Sequence, residues 1–93
     1  MKTTYARIKR DLTLQTRALD FDDAPEVFAG PVLEIEDNRR DYGEVRVQSI
    51  GHLQGRMVMV VWTLRGDARH IISMRHCNER ERKNYGRHFQ AIR

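Results

Sequence analysis

A chain of 93 residues with an apolar fraction of 40% and a formal charge of +4 supports one domain with a modest core and is too short for two. Its composition and periodic segments argue against disorder, and no apolar run approaches the roughly 20 residues that cross a bilayer. The N-terminus lacks the apolar stretch of a signal peptide, and Cys77 has no second cysteine to pair with, so a soluble cytoplasmic protein without an internal disulfide is expected.

Charge is segregated along the chain. Residues 1–19 carry five basic side chains and one acidic, residues 20–44 two basic and nine acidic, and residues 65–93 eight basic and three acidic. If the two basic ends meet in space they form a positive face suited to a polyanion; if not, they are ordinary solvated surfaces.

Tyr5, Ile8 and Leu12 fall at i, i+3 and i+7, with Arg7, Lys9 and Arg10 on other faces, which predicts a short amphipathic helix over residues 4–15. Acids at Asp20, Asp22 and Asp23 precede Pro25, a residue that fits a first helical turn, and Phe21, Val27 and Phe28 anchor a second short helix that Gly30-Pro31 ends. Val32 to Ile35 reads as a strand, and residues 36–43 as a loop. Glu44 to Ile50 reads as a second strand, with Val45, Val47 and Ser49 on one side and Arg46, Gln48 and Ile50 on the other. Gly51 to Arg56 makes a turn.

The apolar run Met57 to Leu64, the turn Arg65-Gly66-Asp67 and the strand pattern Arg69 to Arg75 form a hairpin that delivers Arg75 to the foot of a basic C-terminal helix. The predicted order is α-α-β-β-β-β-α: an α+β fold whose small antiparallel sheet carries two N-terminal helices and a C-terminal one.

Cys77, Glu81, Tyr85, Phe89 and Ile92 lie on one stripe of that last helix. Glu81, a carboxylate on an inward stripe, needs a partner, and Arg75, His70 and Arg46 are available; alternatively Asn78 and Glu81 form a capping box. Arg75, on the same predicted side as Arg69, Ile71 and Ser73, suits either phosphate contact or an ion pair with Glu81 or Glu79. Tyr85 either presents its hydroxyl or packs its ring. His70 and His76 are acid/base candidates or structural residues, Trp62 belongs to the core, and Gly51 and Gly66 serve turns. His52, His70, His76 and His88 lack metal-ligand spacing among themselves or with Cys77, so no metal or cofactor is expected. These residues point to an anion site near Arg75, Glu81 and Tyr85, and to no particular reaction.

The pattern Arg46-Val47-x-x-Ile50-Gly51, the run Met57 to Thr63, Arg65-Gly66, Ile71-Ile72-Ser73-x-Arg75 and Arg80-Glu81-Arg82-x-x-Tyr85 resembles the BrnT family of bacterial toxins, over roughly residues 18–86. Asp20-Phe21 with Ala24 and Val27-Phe28 resembles that family's early helix. The resemblance implies a RelE-like fold and a ribonuclease that arrests translation by cutting RNA, free or on the ribosome. It also implies a BrnA-like antitoxin partner with a ribbon-helix-helix domain, a heterotetramer of toxin dimers joined through antitoxin dimers, and operator DNA bound only through the antitoxin. For metal-independent cleavage the matching positions offer Arg75 and Arg80 for phosphate charge, Glu81 or Tyr85 for proton transfer, and Lys9 from the first helix.

The N-terminal part departs from the family pattern. Tyr5-Ala6 stands in place of Trp-Asp, Lys9 is kept, and Thr16-Arg17-Ala18 replaces Lys-His-Gly, so Arg17 can replace the histidine only as a cation. His70 stands where arginine is common. The alternative reading is a catalytically weakened member acting mainly as a binding and autoregulatory partner of its antitoxin. A plain RNA-binding domain is disfavoured by the scarcity of surface aromatics for base stacking.

Overall fold

A computed structural model describes residues 1–91 of the chain. One sheet has the order β1-β5-β4-β3-β2, built from β1 (Lys2–Tyr5), β2 (Leu33–Glu36), β3 (Val47–Leu53), β4 (Arg56–Arg65) and β5 (Ala68–His76). Three α-helices accompany it: α1 (Arg7–Arg17), α2 (Ala24–Ala29), entered through a 3-10 turn at Phe21–Asp23, and α3 (Glu79–Ala91).

The centre follows from local chemistry. β4 is apolar on both faces and so takes the middle position, covered from above and below. Gln54 and Gly55, with φ of 51° and 79°, close the β3–β4 hairpin in two residues, and Gly66, with φ of 62°, opens the two-residue turn into β5. Pro25 sits in the first turn of α2 as expected, and Asp20 caps the 3-10 turn by accepting from the Asp22 amide.

Five expectations need correction. The sheet is mixed rather than antiparallel, because the chain opens on a strand: β1 runs parallel to β5, with Lys2 beside Ala68 and Tyr5 beside Ile71. Its pairing satisfies backbone groups that β5 would otherwise leave unpaired, a tertiary demand that outweighs the helical spacing read from Tyr5. It also joins the two basic ends of the sequence. The helix therefore starts at Arg7, and of the two expected N-terminal helices only α1 is full length, α2 having six residues.

The apolar side of α1 does not face the sheet. Ile8 and Leu12 are 84% and 56% exposed, while Thr13 is buried, Arg10 reaches Asp20 at 2.8 Å and Arg17 reaches the Met74 carbonyl at 3.0 Å. Beyond Ile71, β5 has no strand partner on its outer side among the described residues, and α1 meets polar backbone and the acidic 3-10 turn rather than an apolar sheet face.

Gly51 lies inside β3, not in a turn. A Cβ there would stand 2.8 Å from Val27 Cγ1, so its lack of a side chain is what lets α2 settle on the sheet. That face buries Phe21, Val27, Val58, Val60, Ile71 and Met74 completely or nearly so, each worth about 1.5–3 kcal/mol of burial for the larger side chains. Trp62 joins this core as expected, donating its indole N–H to Ser49 Oγ at 2.8 Å.

The last correction concerns the register of β5. Val61 lies opposite Ser73 but Trp62 opposite Ile71, so Ile72 is an extra residue, a β-bulge. The bulge splits the side that Arg69, Ile71, Ser73 and Arg75 were expected to share. Arg69 turns to the α2 face and stacks over Phe28 at 4.1 Å, whereas Ser73 and Arg75 turn to the α3 face with Met59 and Val61.

Candidate active site at the junction of β5 and α3

Arg75 comes out of the bulged strand beneath the first turn of α3. Its guanidinium grips Glu81 with two bonds, Nη1 to Oε1 at 2.7 Å and Nη2 to Oε2 at 2.8 Å. Nη1 also donates to the His76 carbonyl at 3.3 Å, and Nη2 lies 3.4 Å from Met59 Sδ. Glu81 accepts from the Asn78 amide at 2.9 Å, and Asn78 Oδ1 accepts from the Glu81 amide at 2.8 Å. One carboxylate thus completes both arrangements considered for it, the capping box and the ion pair. The other two candidate partners are engaged elsewhere: His70 Nδ1 is 2.9 Å from Thr4 Oγ1, and Arg46 pairs with Glu44 and covers the Tyr42 ring.

Electrostatics follow the geometry. The Arg75 guanidinium, helped by the Asn78 amide, holds Glu81 down at about 2 against the opposing effect of burial. A carboxylate so stabilised as the anion accepts protons poorly near neutral pH; its physical effect is to fix Arg75. Burial pushes His70 below the ordinary imidazole range, which favours its neutral form. Cys77 is buried in the α3 core and its thiol is lifted to about 11 by that burial, so it is no nucleophile.

Tyr85, one turn after Glu81, packs its half-buried ring against the α3 core, and its hydroxyl has no hydrogen-bond partner among the described residues. Phe89 continues the stripe with its ring 4.8 Å from that of His52; Ile92 lies outside the described residues. Arg80 is exposed and lines a shallow concavity of about 260 Å³ with Glu79, Lys83 and Asn84. Lys9 stands apart. It is exposed on α1, and its charge acts on His70, five residues before Arg75, which by strand rise places it roughly 15 Å along β5. The fold therefore gathers Arg75, Glu81 and Tyr85, sets Arg80 beside them, and leaves Lys9 at the other end of the strand.

Three further cations escaped the sequence reading as a group. Arg56 at the β3–β4 turn, Arg82 on α3 and Arg17 at the end of α1 surround His76, at the same end of β5 as Arg75. The available signals were the absence of any acid between residues 45 and 64 and the tight Gln54-Gly55 turn.

The family model for the ribonuclease toxin BrnT of type II toxin-antitoxin systems matches residues 5–81. The chain belongs to the BrnT family. No individually curated protein matches it. Lys9, Arg75, Arg80 and Glu81 all fall within the BrnT match, and Tyr85 falls beyond it. The segment Thr16-Arg17-Ala18 ends α1. Ala18 closes α1 in the left-handed conformation, φ 56°, one that glycine adopts without steric cost, and its amide bonds the Leu14 carbonyl at 3.1 Å. Arg17 ties α1 to β5 through the Met74 carbonyl. Among the described residues no three His, Cys, Asp or Glu side chains are grouped to hold a metal ion, and no helix is long and apolar enough to cross a membrane.

Proposed function

We propose that this BrnT-family ribonuclease toxin cuts RNA where β5 meets α3, with its own side chains and no resident metal. The observation that carries the reading is the arginine fixed by two bonds to Glu81 at the strand end, with a second cation, Arg80, and a phenol, Tyr85, without a hydrogen-bond partner among the described residues, on the helix that holds it. In such a reaction a ribose 2′-oxygen attacks the adjacent phosphorus and the bond to the 5′-oxygen breaks, leaving a 2′,3′-cyclic phosphate and a 5′-hydroxyl. Arg75 and Arg80 stabilise the charge that builds on the phosphate oxygens. Tyr85 gives its proton to the departing 5′-oxygen, and the 2′-hydroxyl proton passes to solvent; a positioned proton donor contributes about 10²–10⁴-fold. Glu81 acts as the positioning residue for Arg75, and Lys9 contributes to the field that draws the strand in.

On this reading, cleavage of cytoplasmic RNA, free or on the ribosome, arrests translation, and a BrnA-type ribbon-helix-helix antitoxin neutralises the toxin in a heterotetramer that also binds operator DNA. The face with Arg75 is then the RelE-like active face. One observation favours the alternative, a weakened member that serves mainly as its antitoxin's binding and autoregulatory partner: the charge of Arg75 is already matched by Glu81.

End-mapped cleavage of RNA by antitoxin-free protein, beside Arg75→Ala checked for intact secondary structure, tests the proposal. Cleavage by the native protein that falls at least about 100-fold in the variant supports it. A folded native protein that cuts neither free nor ribosome-bound RNA supports the regulatory alternative.

A further inference from the structure

Two adjoining concavities, of about 310 and 500 Å³, meet at the β3–β4 turn, and both are lined by Arg56 and His76. Arg82 lines the smaller and Arg17 the larger. What distinguishes these arginines is how they are held. Arg17 donates Nη1 to the Met74 carbonyl at 3.0 Å, and Arg82 donates Nη1 to the Cys77 carbonyl at 2.8 Å. Among the described residues neither they nor Arg56 have a carboxylate within ion-pair distance, and the one acid of the lining is Asp23. Elsewhere Arg10 is neutralised by Asp20, Arg39 by Asp37, Arg46 by Glu44 and Arg75 by Glu81, while Arg69, which has no carboxylate partner among the described residues, is spent on the rings of Phe28 and Trp62. A backbone carbonyl fixes the direction of a guanidinium and leaves its whole charge and its other N–H groups for a ligand. Cations ordered without being neutralised are preorganised for an anion that comes from outside the chain.

We infer that this cleft binds the sugar-phosphate backbone of the RNA strand that leads to the scissile bond, with Arg17, Arg56 and Arg82 on successive phosphates and His76 between them. The inference rests on the ribonuclease reading above and supplies its substrate-positioning surface. The cleft lies one residue from the proposed centre: Arg75 and His76 are neighbours on opposite faces of β5, and Arg75 Nη1 donates to the His76 carbonyl. A nucleic-acid backbone fits better than an acidic segment of a protein partner. Leu19, Leu53 and Met57, the large apolar residues of the walls, are all buried in the cores, so the cleft offers none of the exposed apolar anchors on which a peptide interface depends. Among the described residues its lining also holds no Phe, Tyr or Trp for bases to stack on, so the contact is with phosphates and indifferent to base identity.

The test is fluorescence anisotropy of a labelled 2′-O-methyl oligonucleotide, which lacks the attacking hydroxyl and so reports binding apart from cleavage, measured across a salt series. The double variant Arg56→Ala/Arg82→Ala is expected to bind about tenfold or more weakly, with a salt slope shallower by about 1–2, and to raise KM for RNA cleavage while kcat stays put. Arg56→Glu, a change at an exposed turn side chain without a hydrogen bond among the described residues, gives the same loss without any threat to folding. Arg7→Ala, exposed at the start of α1, leaves affinity and slope as they were. The inference is overturned if the native protein binds the oligonucleotide and the variants keep its affinity and slope, or if the variants lose only the antitoxin. Native cleavage with an unchanged KM in the variants would sink the cleft and spare the ribonuclease reading. Native binding that the variants lose, with no cleavage by any form, would do the reverse.

Discussion

Beneath α2 the sheet is sealed by Phe21, Val27, Val60, Ile71 and Met74, all wholly buried, whereas beneath α3 the described residues that cover Ile50, Met59, Val61 and Cys77 are the half-buried rings of Tyr85 and Phe89, with Leu33 and Ile72 beside them. The second face makes up for its thinner cover with polar bonds at one place, the clasp of Arg75, Glu81 and Asn78 at the foot of the helix. Apolar burial is spread over many contacts and degrades gradually, while a clasp depends on each of its members. The α2 face is accordingly the stable one. The α3 face, where the chemistry is proposed, is the one whose geometry a single side chain can change.

The sharpest way to break this contrast is to remove the same kind of contact from each face. Ile71→Ala on the α2 face should cost about 2–5 kcal/mol in thermal or urea unfolding, whereas Phe89→Ala on the α3 face should cost about 1 kcal/mol. Equal losses would mean that the two faces are held alike. Next in size comes the clasp. Glu81→Gln keeps the shape and a capping oxygen but removes the charge that holds Arg75, and roughly 1–2 kcal/mol should go. Hydrogen exchange would locate the loss: α3 amides should open earlier while those of β4 keep their protection.

Acid titration sharpens the same point. Glu81, at about 2 through Arg75, and Asp37, at about 2 through Arg39, are both held below their ordinary carboxylate values. An unfolded chain therefore takes up protons at these groups at higher pH than the folded one. Their contribution is complete above the unfolded values and fades as pH falls from between about 4 and 5 towards 2. In Glu81→Gln the α3 share of that fade should vanish while the share from Asp37 remains. The smallest effect lies off both faces. Ala18→Gly removes the steric cost of a left-handed residue at φ 56° and should stabilise by up to about 1 kcal/mol; a loss of stability would show that the cap is not strained.

Local chemistry carried much of this into the sequence. The hairpin of β4 and β5, Pro25 at the start of α2, Trp62 in the core and the Asn78-Glu81 box each depend on neighbours a few residues away, so pattern reading reaches them. The remainder depends on distant partners. Four residues of β1 show no period of their own and become a strand only beside β5. The extra residue at Ile72 breaks the alternation from which the facing of Arg75 was counted, and α1 points Ile8 and Leu12 outward because what it covers is a polar strand edge. Part of the candidate site was legible for the same reason: Arg75 and Glu81 are six residues apart. Arg17, Arg56, His76 and Arg82 come from four separate elements or turns and converge only in space.

The parallel edge has a consequence for how the chain is made. Thr4 meets His70 across 66 residues, whereas the two hairpins close through turns of two residues. At a synthesis rate of roughly 5–20 residues per second, β1 leaves the ribosome about 3–13 seconds before its partner strand exists. The first strand to be translated is thus the last to dock, and it arrives at a template of hairpins that need no help from it to form.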